Sequence, residues 1–271
     1  MSSIAQKNSH PYSLAGKTFI ITGGGSGIGL NVANALLEQG SSVVVCDLDF
    51  SQLAPLDNRV HTVLGDITLP ETAQSAIDRA LESTGRIDGV VFAAGSSATG
   101  ALGDLSLDEF GRDLSRNLTV HLSLSQAVLR HKAEFRTEEQ CSLVYVASKQ
   151  AVAPSSGFGG YPIAKGGVLQ MARILAMEGA PYGIRANTVN PGAVFDGSKF
   201  WNEDLMQEKA LHHNVSTEEL PKFYANRTML GVRVSPVDVS NAIMFLLSPL
   251  SRATTGSVIA VDGGLPVSFA R

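Results

Sequence analysis

A glycine-rich turn between two patterned runs constrains the fold of this chain more than any other stretch. Lys17 to Thr22 (KTFIIT) has the β-branched and aromatic character of a short strand, and Leu30 to Gln39 has helical periodicity. Between them lies Gly23-Gly24-Gly25-Ser26-Gly27-Ile28-Gly29. Glycine here lets the backbone turn tightly, approach another group closely, and pack the new helix onto the strand it follows. The start of that helix presents unpaired N–H groups and the positive end of its dipole, which together favour a phosphate. Strand, glycine turn and helix in this order predict the opening unit of a parallel sheet with a pyrophosphate seat at the turn. A plain strand-to-helix turn is the competing reading.

The pattern recurs along the chain without an internal repeat. Ser42 to Cys46 (SVVVC), Val60 to Leu64, Gly89 to Ala93 (GVVFA), Ser142 to Ala147 (SLVYVA), Arg185 to Val189 and Ser257 to Val261 read as further strands. Helical stretches fall between them: about Pro70 to Thr84, one long helix over Leu107 to Arg130, Tyr161 to about Met177, and a last helix through Leu247 with Ser235 as N-cap. This alternation predicts a doubly wound α/β domain, a seven-stranded parallel sheet with helices on both faces. Such sheets bind ligands at the carboxyl ends of their strands.

Composition narrows the partners. Of 271 residues 17% are charged, the formal net charge is −4 and the basic residues are scattered, which offers nothing to nucleic acid or an anionic membrane surface. The longest apolar runs are strand-like and fall short of the roughly 18 residues of a membrane span. Met1 to Tyr12 is polar and lacks the charged start and apolar core of a signal peptide. Residues 1–13 are therefore expected to form a loose arm and 14–271 the folded domain, in a cytoplasmic protein. Cys46 and Cys141 have neither metal-ligand spacing nor a disulfide framework, so no metal is expected and a reducing compartment fits.

The predicted strand ends carry the chemistry. Asp47, about 20 residues past the glycine turn, is placed to accept hydrogen bonds from both ribose hydroxyls of an adenosine and to repel a 2′-phosphate. No Arg or Lys lies close by in sequence, and Ser26 stands where a basic residue would meet that phosphate, which favours NAD over NADP; the alternative is a solvated turn residue. Asp66, in Gly65-Asp66-Ile67, either accepts from the adenine amino group or caps its own turn. Ala94-Gly95-Ser96-Ser97 are small residues that admit a flat ligand or simply turn the chain.

Tyr161 and Lys165, at i and i+4 at the head of a helix, share one face. An ammonium beside a phenol favours phenolate and lowers a pKa that is normally about 10, which makes Tyr161 a proton donor or acceptor near neutral pH. Ser148 ends its strand, and the Gly-, Ser- and Pro-rich loop after it is short enough to bring Ser148 back towards Tyr161 around one substrate oxygen. Asn117, an amide among apolar positions, needs partners. After Asn190-Pro191-Gly192-Ala193-Val194 the chain is irregular over about 195–230, as a substrate lid is, with Trp201 as an apolar wall and Asp196 and Lys199 as groups suited to hydroxyls. A surface ornament or a contact with a neighbouring subunit is the alternative there.

Together these motifs resemble the short-chain dehydrogenase/reductase family over nearly the whole chain. The matching residues are Thr22-Gly23-x-x-x-Gly27-x-Gly29, Asp47, Asp66, Asn117, Ser148, Tyr161-x-x-x-Lys165 and Asn190-Pro191-Gly192. The resemblance implies a single Rossmann-like domain and hydride transfer between NAD and a secondary alcohol or its ketone. It implies that Tyr161 is the general acid/base, that Lys165 lowers its pKa and binds the nicotinamide ribose, that Ser148 positions the substrate oxygen, and that Asn117 holds a water in the proton relay. It assigns Thr22, Ile28, Leu48, Ile67, Ala93 and Ala94 to the cofactor, together with Gly95, Pro191, Gly192 and Val194, and it implies a homotetramer built through the long helices.

Two departures stand out. The family's Asn-Asn-Ala-Gly segment is here Phe92-Ala93-Ala94-Gly95, so side-chain hydrogen bonds supporting the central strands are lost, and Asp196 replaces a Thr that in many members contacts the nicotinamide carboxamide. Gly197 to Trp201, Glu219-Leu220 to Arg227-Thr228, and Val261-Asp262-Gly263-Gly264 with Phe269-Ala270-Arg271 are similar to the dehydrogenase half of bifunctional rhamnulose-phosphate aldolase/lactaldehyde dehydrogenases, without the aldolase half. That similarity implies a small sugar, polyol or hydroxyaldehyde as substrate. The rival expectations are an acyl-thioester or other carbonyl reductase of the same family, and a non-catalytic dinucleotide-binding protein.

Overall fold

Strands without a polar face build the centre of the molecule. β1 (Thr18–Thr22) sends Phe19 and Ile21 into one hydrophobic core and Ile20 into the other, and β2 (Ser42–Asp47) divides Val43 and Val45 from Val44 and Cys46 in the same way. Such strands are stable only with both faces covered, which parallel pairing with helical crossovers provides. β3 (Val60–Leu64), β4 (Gly89–Phe92), β5 (Cys141–Val146), β6 (Ile184–Pro191) and β7 (Val258–Val261) complete a seven-stranded parallel sheet in the order β3-β2-β1-β4-β5-β6-β7. This computed structural model describes residues 12–53, 57–135 and 140–269; most of the expected N-terminal arm, and Ala270-Arg271 of the tail, lie outside the described residues.

The covering helices are α1 (Gly27–Glu38), α2 (Pro70–Thr84), α3 (Leu107–Asn117), α4 (Leu122–Phe135), α5 (Tyr161–Gly179), α6 (Glu203–His213), α7 (Leu220–Asn226) and α8 (Pro236–Leu247). Leu36 of α1 and Ile243 of α8 enter one core, while Ala76, Leu124 and Val168 of α2, α4 and α5 enter the other. Each large aliphatic side chain so buried contributes about 1.5–3 kcal/mol. β1 lies between β2 and β4, so successive strands run outward in opposite directions from this point and leave a crevice at their carboxyl ends. α8 starts as its sequence predicts: Ser235 and Asp238 form a reciprocal capping box.

The single helix expected over Leu107 to Arg130 is broken in two. Leu118 departs from helical geometry (φ −128°, ψ −61°), and a short 3₁₀ turn, Thr119–His121, separates α3 from α4. Asn117 explains the break. Its Nδ2 donates to the Asp113 carbonyl (3.2 Å), and its Oδ1 accepts from the Ser96 N–H (3.0 Å), so the amide ties the end of α3 to the loop after β4. The irregular stretch after β6 is more ordered than expected, since α6 and α7 lie within it. Asn202 caps α6 by accepting from the Leu205 N–H at 2.9 Å.

Candidate active site

A cleft of about 700 Å³ runs along the carboxyl ends of the strands. At its β1–β2 end the glycine turn is as crowded as a phosphate cradle must be. A Cβ on Gly29 would fall 2.2 Å from the Gly23 carbonyl oxygen, and one on Gly23 (φ +68°) would fall 2.6 Å from the Ala94 nitrogen. Ser26 makes no side-chain cap on α1; the Gly27 N–H is taken by the Gly197 carbonyl, and the later N–H groups of the first turn face no side-chain cap and suit an anion. Thr22 does not line the cleft: it is fully buried, and its Oγ1 accepts from the Ala94 N–H at 3.4 Å, holding β1 to the end of β4.

Asp47 stands at the end of β2 with Oδ2 accepting from the Gly25 N–H (2.8 Å) and Oδ1 from the Leu48 N–H (2.7 Å). Asp66 caps its own turn, Oδ1 accepting from the Thr68 N–H (2.9 Å) and hydroxyl (2.8 Å) while the residue stays on the cleft wall beside Ile67. Sequence places no basic residue near Asp47, but the fold does: Lys199 pairs with Asp49 at 2.5 Å and holds its carboxyl at about 2. Gly197 comes with it, its carbonyl accepting from the Gly27 N–H at 3.1 Å. The crowded glycine turn, uncapped helix start and Asp47 fit a dinucleotide, with pyrophosphate at the turn and adenosine ribose at Asp47.

At the other end, β4, β5 and the head of α5 meet. Asp113 fixes the start of α5 by accepting from the Gly160 N–H at 2.8 Å. Tyr161 and Lys165 are both buried, with the Lys165 Nζ 5.7 Å from the Tyr161 ring centroid and donating to the Val146 carbonyl at 2.9 Å. A Cβ on Gly95 would meet Asn117 Oδ1 at 3.1 Å and Lys165 Nζ at 3.5 Å, so this glycine is where the two side chains converge. Ser148 leads into a 3₁₀ turn, Lys149–Ala151, its Oγ accepting from the Gln150 N–H at 3.2 Å.

The electrostatics differ from the sequence expectation. Burial pushes the Tyr161 phenol up to about 12, against a hydrogen bond from Ser148 that favours phenolate. Burial also pushes Lys165 down to about 8; it stays mostly charged at neutral pH but does not overcome the desolvation of the phenol. The arrangement gives a phenol that holds its proton firmly, a hydroxyl beside it, and an amine that changes charge close to physiological pH.

The altered Phe92 segment has its own support. Phe92 stacks on Tyr145 of β5 with centroids 4.2 Å apart and planes 3° apart, and the buried His121 ring stands edge-on to both, at 5.8 and 6.1 Å. Tyr145 hydrogen-bonds the Ser125 hydroxyl at 2.7 Å. An aromatic stack thus joins β4 to β5.

Over the Tyr161 end, Phe200 stands 5.3 Å from the Tyr161 ring, while Trp201 stacks on Phe195 (4.3 Å) and meets Tyr224 (5.5 Å). Trp201, Pro191, Gly192 and Val194 line the cleft. Asp196 does not line it; its carboxylate pairs with Arg233 at 2.7 Å. Lys149 and Phe158 line the cleft without having been picked out in sequence, although adjacency to Ser148 marks Lys149.

Residues 23–266 match the sequence model of a family described as enoyl-(acyl carrier protein) reductase. The chain is 31% identical over 264 residues to an uncharacterized oxidoreductase, YuxG, of Bacillus subtilis (strain 168), covering 94% of this chain and only 38% of that relative's length. It is 28% identical to an L-rhamnose 1-dehydrogenase (NAD(P)(+)) of Sphingomonas sp. (strain SKA58), covering 94% of this chain and 98% of that one. Among solved structures, a 3-ketoacyl-(acyl-carrier-protein) reductase of Brucella melitensis complexed with NADH superposes with a TM-score of 0.80 at 27% identity, covering 93% of this chain and 99% of that one.

Proposed function

The chain belongs to the short-chain dehydrogenase/reductase family of oxidoreductases, and from that premise we propose that it transfers a hydride between NAD and a secondary alcohol or its ketone. The observation that carries this is the convergence of Ser148, Tyr161, Lys165 and Asn117 at one end of a cleft whose other end joins a glycine cradle to Asp47. When bound, the dinucleotide supplies the redox chemistry by taking or giving the hydride. The chain's own residues do the rest. The backbone of Gly23 to Gly29 and the start of α1 hold the pyrophosphate, and Asp47 the adenosine ribose; the Ser148 hydroxyl donates to the substrate oxygen. During oxidation Tyr161 Oη passes its own proton towards Lys165 and a water held by Asn117 as it takes the hydroxyl proton, and during reduction it gives its proton to the substrate oxygen and is reprotonated by the same route. A phenol held at about 12 by burial is suited to remain protonated until a charged oxygen forms beside it.

The substrate we assign is a small sugar, polyol or hydroxyaldehyde, held under a lid of residues 195–230 in a cytoplasmic enzyme. Supporting this are the mixed wall, in which Trp201 and Phe200 stand near Lys149 and Ser148, and similarity to a rhamnose dehydrogenase. A homotetramer accords with apolar side chains exposed on α3 and α5, Leu107 and Met177 among them; a monomer by light scattering would exclude it. Similarity to the NADH-bound 3-ketoacyl reductase favours a second reading, an acyl-thioester reductase. Steady-state rates with both dinucleotides across sugars, sugar acids, polyols, diols, cyclic alcohols and acyl thioesters separate the two, repeated with Trp201→Ala. Small hydroxylated substrates with NAD, and loss of kcat/KM in the variant, support the first reading. Preference for NADPH and an acyl thioester would replace it with the second.

A further inference from the structure

Next to Ser148 the cleft continues into a small side cavity of about 30 Å³, reached past Gly192, Ala193 and Tyr224. Lys149 lines both spaces, and Arg227, at the end of α7, lines the inner one. These two cations differ from their basic neighbours. Lys199 is paired with Asp49 and Arg233 with Asp196, whereas among the described residues neither Lys149 nor Arg227 makes an ion pair, the charge of Asp262 acting on Lys149 only from a distance. Lys149 Nζ donates only to the Ser155 hydroxyl, at 3.1 Å. The Arg227 guanidinium lies over the rings of Phe223 (5.7 Å) and Tyr224 (5.9 Å). The one carboxylate on the cavity wall is Asp262, and its oxygens are already engaged: Oδ1 by the Gly264 and Leu265 N–H groups, Oδ2 by the Ser268 hydroxyl.

We propose that Lys149 and Arg227 form an anion subsite which takes the carboxylate or phosphate of a small hydroxylated substrate whose reacting carbon lies at Ser148 and Tyr161. The inference rests on the oxidoreductase reading of the cleft and narrows its substrate class. Lys149, partly withdrawn from water, and the exposed Arg227 are like charges on one cavity wall, and Asp262 offsets their repulsion only in part, so an entering anion is favoured. Desolvation first and Arg227 second push Lys149 down to about 8 against the opposing charge of Asp262, and an entering anion would favour the charged amine further. The planar guanidinium fork, braced on two aromatic faces, matches two oxygens of a carboxylate or phosphate, and the lysine supplies a point charge beside it.

The test uses matched probes on the full-length enzyme: 1,2-propanediol against lactate, and glycerol against glycerol 3-phosphate, with wild type, Lys149→Met, Arg227→Gln and Arg227→Lys. In wild type the anionic member of at least one pair has the higher kcat/KM by about tenfold or more, and which pair shows it tells carboxylate from phosphate. In Lys149→Met and Arg227→Gln that ratio collapses towards one, chiefly through KM, and Arg227→Lys restores part of it. Independently of turnover, inorganic phosphate raises the unfolding temperature of the wild-type enzyme with NADH and does so less in both charge-removing variants. Equal use of neutral and anionic members, with no phosphate effect, overturns the subsite and leaves the oxidoreductase reading intact. Phosphate stabilisation that needs both cations, with no alcohol oxidised at all, keeps the subsite and refutes the oxidoreductase reading.

Discussion

Single residues show where chemistry can be read from side-chain types and where burial decides. The meeting of Asn117, Ser148, Tyr161 and Lys165 follows from their places at the end of α3, after β5 and at the head of α5. The sign of the Tyr161 shift does not, because desolvation depends on neighbours distant in sequence. His121 makes the same point: it is fully buried, neither ring nitrogen has a partner among the described residues, and its pKa is pushed far down by burial and then by Lys165. Below about pH 6.5 the unfolded chain binds a proton there and the folded chain does not, so stability falls with acid by up to about 1.4 kcal/mol per pH unit. Urea titrations between pH 7 and pH 5 should show this slope reduced in His121→Leu, and parallel curves would refute the assignment. Asp47, on the same scale, is the residue proposed to choose between the dinucleotides. Asp47→Ala should raise kcat/KM with NADP relative to NAD by about tenfold or more, helped by Lys199 on the adjacent rim; an unchanged ratio would remove Asp47 from that role.

At the scale of elements, the β-branched strands, the glycine turn and the Ser235 cap were legible because each is a local pattern. The break after Asn117 was not, since a 3₁₀ turn there keeps the buried phase of the sequence and only the amide's bond to Ser96 reveals it. Nor was the course of 196–202. This segment is tied to the glycine turn by Gly197 and to the β2 loop by Lys199, so it spans the cleft from the Tyr161 end to the Asp47 end. On the proposed reading a dinucleotide passes beneath it. Loss of this exposed ion pair should speed NADH release up to about fivefold in Lys199→Met and Asp49→Asn, with wild type approaching the variants at high salt. Stopped-flow displacement of NADH reads this directly, and identical release rates in all three proteins would show that the tie does not gate the cofactor.

For the whole molecule, seven parallel strands buried on both faces put their carboxyl ends on one edge, which is why residues from Gly23 to Gly192 line one cleft. Strand number and direction were legible from alternation, but strand order depends on crossovers that no local pattern records. The ends proposed for the cofactor's phosphates and for proton transfer are built from different residues of one cleft, so they can be disabled separately. Tyr161→Phe removes the phenol oxygen and leaves the glycine cradle and Asp47 untouched. Steady-state turnover on the best alcohol, measured beside NADH binding by fluorescence titration, should fall by about 10²-fold or more in this variant, with NADH affinity within about threefold of wild type. Turnover comparable to wild type in Tyr161→Phe would contradict the account.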